Sequence, residues 1–89
     1  MSTEHIKYIV GDPMISMNEA QMNESYVVAE ITGGEHWILR LKSLGIEVGS
    51  QIRVRHRLPF GGPIVLQVLG TTFALRKGEA NCIKLQQKT

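Results

Sequence analysis

The stretch from Leu41 to Pro63 constrains the fold more than any other part of the chain. Leu41 and Leu44 stand three apart and share one helical face. Gly45 follows where a helix stops in a left-handed residue, and Val48-Gly49 makes a second turn. From Gln51 to Arg57 the chain alternates, Ile52 and Val54 against Arg53, Arg55 and Arg57, which is the pattern of a half-buried strand. Leu58 to Pro63 holds two prolines and Gly61-Gly62, so it reverses the chain rather than extending a central strand.

The remaining elements are likewise short pieces joined by sharp turns. Ser25 to Thr32 is rich in β-formers, with Val27, Ala29 and Ile31 expected inward. Glu35 to Leu44 reads as a helix whose buried stripe is Ile38, Leu41 and Leu44, with Trp37 beside it as a partly buried anchor or a partner contact. Ile64 to Leu69 is apolar at nearly every position. Thr72 to Arg76 returns with Phe73 and Leu75 inward, Lys77 to Ala80 turns, and Asn81 to Gln86 closes with Ile83 and Leu85 inward. Five short strands and one helix, joined by glycine turns, predict a mainly β fold, a small barrel.

With 89 residues the chain supports one domain with a thin core. A 43% hydrophobic and 20% charged composition is that of an ordered globular chain, and a net charge of +2 does not imply nucleic acid or an anionic membrane. The single cysteine, Cys82, excludes an internal disulfide and a cysteine-rich zinc site. No apolar run approaches the ~18 residues that cross a bilayer, and the N-terminus lacks a secretion pattern, so a cytoplasmic location without membrane insertion is expected. Residues 1–14 read as an extension, 15–86 as the domain and 87–89 as a polar tail. Within the extension, Ile6, Tyr8 and Val10 alternate as a further edge strand would.

Leu41-x-x-Leu44-Gly45-Ile46-x-x-Gly49-x-x-Ile52-x-Val54, followed by Pro59-Phe60-Gly-Gly-Pro63, Ala74-Leu75-Arg76 and Glu79-Ala80, looks like the FeoA family. The similarity extends from about Ser16 to Leu85. Upstream, Met17 and Ala20 stand at apparent leucine positions, and Met22-Asn23 stands where the family commonly has Pro-Gly. Asn tolerates the left-handed conformation that such a turn needs. The resemblance implies an SH3-like β-barrel with a helix inserted after the first strand. It also implies a cytosolic accessory to the FeoB ferrous iron transporter, a membrane protein with a GTP-binding domain.

No nucleophile-base-acid set stands at a recognisable spacing, and Phe60-Gly61-Gly62-Pro63 lacks the length and the Lys-Ser/Thr of a phosphate loop, so no enzyme is expected. His5, Glu35, His36, Glu47, His56, Glu79 and Cys82 are not paired at ligand spacing, so neither metal site nor cofactor is expected. His56, in phase with Ile52 and Val54, is expected at the barrel rim. Arg53, Arg55 and Arg57 with Arg40 and Lys42 make a basic face that reads as solvated or as fitting an acidic protein, not nucleic acid, since no aromatic ladder accompanies it.

The expected function is a non-catalytic interaction module supporting ferrous iron uptake by docking on the transporter. Its contact surface is expected at Leu58, Pro59, Phe60, Pro63, Val65 and Leu69, flanked by Arg55 and Arg57. A metal-responsive module of the kind carried by iron-dependent repressors and a small metal-binding protein are the alternatives. The two apolar faces of Ile64 to Leu69 would also allow self-pairing into a homo-oligomer.

Overall fold

The structure, a computed structural model, describes residues 13–87. The alternation of Ile6, Tyr8 and Val10 falls outside them. The elements in order are β1 (Ile15–Ser16), a 3-10 turn (Met17–Glu19), β2 (Ser25–Ile31), α1 (Glu35–Ser43), β3 (Gln51–Arg57), β4 (Ile64–Val68), β5 (Thr71–Leu75), α2 (Lys77–Ala80) and β6 (Ile83–Gln87). The strands form one antiparallel sheet of six in the order β1-β6-β2-β3-β4-β5. Its inner face curls around a single core that includes Met17, Val28, Leu41, Ile46, Val54, Leu66, Ile83 and Leu85, each buried. This is the SH3-like barrel, with the helix set between β2 and β3. The sheet has one strand more than the sequence suggests, because two residues suffice for β1 to pair with β6.

The Leu-x-x-Leu-Gly-Ile motif is a helix stop. Gly45, at φ +93°, donates to the Lys42 carbonyl, and the Ile46 N–H donates to the Leu41 carbonyl at 2.9 Å. Those paired bonds, with Ile46 folded back on Leu41 inside the core, make a Schellman motif. Ile46 therefore fills the place the sequence assigns to Leu44. Leu44 caps the helix and points outward, 38% exposed, and Ile38 is only half-buried. The expected stripe narrows to Leu41, with Trp37 packed on the core beside it.

Two β-bulges correct the inward assignments. In β2, Tyr26 and Val28 face the core rather than Val27 and Ala29. A register shift between Val28 and Glu30 then advances the phase by one residue and turns Ile31 back onto the core. Val27 is also buried, but outside that cluster and paired with Gln86. In β3 a shift between Val54 and His56 does the same. His56 is left exposed across from Val65 instead of lying in phase with Val54, and Arg57 rotates away from the face of Arg53 and Arg55 to lie beside buried Ile64.

Candidate docking surface

Both loops flanking β4 are tight turns in which a large apolar residue takes a left-handed conformation. At the β3–β4 reversal, the Leu58 N–H bonds the Pro63 carbonyl at 3.1 Å, and within it the Gly62 N–H bonds the Pro59 carbonyl at 3.2 Å. The central residues, Phe60 and Gly61, have φ of +60° and +72°. At the β4–β5 hairpin, Val68 pairs with Thr71 and the loop residues Leu69 and Gly70 have φ of +53° and +79°. Positive φ at both central positions is the type I′ arrangement, which favours Asn, Asp or Gly in the first place. A left-handed side chain costs about 1–2 kcal/mol. Neither residue recovers that cost by burial, since Phe60 is fully exposed and Leu69 is 87% exposed.

These turns stand at opposite ends of β4, whose five residues separate them by roughly 17 Å. The reversal gathers Leu58, Pro59, Phe60 and Pro63, all exposed. Arg55, exposed, and Val65, half-buried, adjoin it on the outer face of β3 and β4. Leu69 belongs to the other end, with its Cδ1 close over Gly45.

Arg57 turns inward and donates to the carbonyls of Met17 and Ala20, tying the end of β3 to the 3-10 turn. Its Nε and the Oδ1 of Asn18 are buried without partners among the described residues. Both residues line a cleft of about 190 Å³ beside the reversal, with Leu58, Gly61, Gly62, Ile64 and Lys77. The cleft has a mixed lining, with Asn18, Arg57 and Lys77 beside Leu58 and Ile64, and the two unpartnered atoms lie beneath its surface.

Among the described residues, the other polar residues singled out by sequence do not converge; His5 lies outside them. Glu35 and His36 are exposed at the start of α1, Glu47 and His56 are exposed elsewhere, and Glu79 is occupied by the Arg76 N–H and Arg40. Cys82 is half-buried, its Sγ 3.7 Å from the Gly78 carbonyl. Among the described residues, no group of three or more His, Cys, Asp and Glu is placed to hold a metal ion. No helix among them is long and apolar enough to cross a membrane. The left-handed pair is what the sequence reading missed. Its signal was an X-Gly step between two strands at Phe60-Gly61 and at Leu69-Gly70.

Comparison with known proteins places this fold. The FeoA domain family matches residues 15–87. The chain belongs to the FeoA family. A crystal structure of an iron uptake regulatory protein (FeoA) superposes with a TM-score of 0.76 at 29% identity, over 84% of this chain and 99% of that one. An NMR structure of a FeoA-like protein from Clostridium acetobutylicum gives 0.72 at 28% identity, over 83% of this chain and 86% of that one. A manganese-dependent transcriptional repressor gives 0.78 at 22% identity, over 89% of this chain and 44% of the repressor, a likeness of fold. A search of curated proteins by sequence returns no match.

Proposed function

We propose that this FeoA-family protein is a non-catalytic cytosolic module that docks on a FeoB-type ferrous iron transporter through the β3–β4 reversal and modulates its activity. The observation that carries this reading is Phe60, an aromatic side chain held fully exposed in a conformation that costs folding energy. A strained, exposed aromatic at the tip of a rigid turn is the form of an interface anchor. Leu58, Pro59 and Pro63 widen the apolar surface around it. Arg55 supplies a rim charge that favours an acidic partner surface. Arg57 acts from within by fixing the end of β3, and Leu69 lies outside this contact.

The test is a binding titration against the full-length transporter of the same host and against its isolated cytosolic domain, with GTP turnover followed in parallel. Saturable binding that Phe60→Asp weakens at least tenfold, while the barrel stays folded, is expected. Absence of binding to either form in every nucleotide state rejects the reading. A second reading, a metal-responsive regulatory module, is supported by the repressor likeness at the level of fold alone.

A further inference from the structure

The two edges of the sheet are managed differently. β1 is only two residues long, too short to recruit a strand. β5 is five residues, Thr-Thr-Phe-Ala-Leu, with no charge, no proline and no bulge against β4. Among the described residues it pairs with β4 alone. Thr71, Thr72 and Ala74 are exposed and Phe73 is half-buried. The two-residue hairpin makes Val68 and Thr71 a hydrogen-bonded pair, and alternation then gives Leu66–Phe73 and Ile64–Leu75 the same status. The N–H and C=O groups of Thr72 and Ala74 consequently point away from β4, a row of donors and acceptors that no strand among the described residues pairs.

We propose that this edge pairs with the β5 edge of a second copy, antiparallel and centred on Phe73, giving a two-fold dimer. In that register Thr72 of each copy lies opposite Ala74 of the other, and the free groups of both residues are satisfied in two reciprocal pairs. Phe73 meets its own symmetry mate across a close, non-hydrogen-bonded pair and loses its remaining exposure. Charge selects the direction. The strand is followed by Arg76-Lys77 and preceded by the uncharged Leu69-Gly70, so antiparallel pairing sets cations beside the apolar tip, whereas parallel pairing stacks cations on their copies. Because β1 is too short to continue the pairing, assembly closes at two. The Phe60 reversal takes no part, so this inference stands apart from the transporter reading.

Sedimentation equilibrium of the full 9.9 kDa chain tests it, with paired charges as a register probe. Wild type is expected to dimerise with rising concentration. Thr72→Lys with Ala74→Lys puts like charges opposite each other twice and is expected to weaken the dimer about tenfold, whereas Thr72→Glu with Ala74→Lys restores it to wild-type strength or better. Both side chains are exposed, so circular dichroism should report an unchanged fold. Ala74→Pro, which removes an outward N–H, should yield monomer. A wild-type chain that stays monomeric up to about 1 mM overturns the proposal. So does a dimer indifferent to these three variants, which places the interface elsewhere.

Discussion

At the residue scale, the clearest statement in this molecule is conformational. Phe60 occupies a left-handed position with its ring in solvent, so replacing it removes strain and no packing. Phe60→Gly is expected to raise stability by about 1 kcal/mol in urea denaturation while abolishing partner binding. A drop in stability would mean that the ring packs within the barrel. Gly33 is the opposite case. Its φ is +127°, and a Cβ there would stand 2.4 Å from Trp37 Cδ1, so the indole lies directly over the glycine. Gly33→Ala therefore combines strain with a clash and should cost about 2 kcal/mol or more, read as a lowered melting temperature. Arg57 is worth more than the exposed Arg55. Arg57→Leu leaves the Met17 and Ala20 carbonyls without this donor and should cost about 1–3 kcal/mol, whereas Arg55→Ala should stay within about 0.5 kcal/mol. The alternation of arginines in β3 was plain in the sequence. The change in Arg57's role was not, because it comes from a bulge that no glycine or proline marks.

Among the elements, hydrogen bonding decides where each one ends. The Schellman stop after α1 explains why Gly45 and Ile46 belong to the motif, and both could be read from Leu41 to Gly49 alone. The narrow buried stripe of α1 could not, since it depends on Ile46 returning to cover Leu41. Ser16 shows how a short segment is secured. Its Oγ accepts from the Asn18 N–H at 3.1 Å, its own N–H donates to Glu19 Oε1 at 3.3 Å, and its hydroxyl lies 3.0 Å from Asn81 Oδ1 at the end of α2. The capping box secures the 3-10 turn, and the hydroxyl contact ties it to the end of α2. Ser16→Ala should lower stability by about 1 kcal/mol in chemical denaturation, and no change would show the cap to be incidental. Asn23, at φ +66°, holds the turn expected of it and bonds the Val54 carbonyl at 2.8 Å. The strand phases of β2 were misread because a bulge lets both Val28 and Ile31 face one core, which strict alternation forbids.

For the whole molecule, the barrel was legible because turn chemistry and apolar runs left few other ways to bury so small a core. Met17 and Ala20 prove the point from an unpromising segment, as both are completely buried. The placement of the exposed apolar residues was less legible. Leu69 and Phe60 stand at opposite ends of β4, a separation that depends on where the strand begins and ends. We propose that the Phe60 reversal is the face this FeoA-family protein presents to a FeoB-type transporter. The most direct measurement is amide chemical-shift mapping of the ¹⁵N-labelled protein titrated with the transporter's cytosolic domain. Docking through the reversal predicts saturable shifts concentrated at Leu58, Phe60, Gly61 and Gly62, reaching Arg55 and Val65, and sparing α1. Absence of shifts, or shifts centred on α1 with the reversal silent, would contradict it.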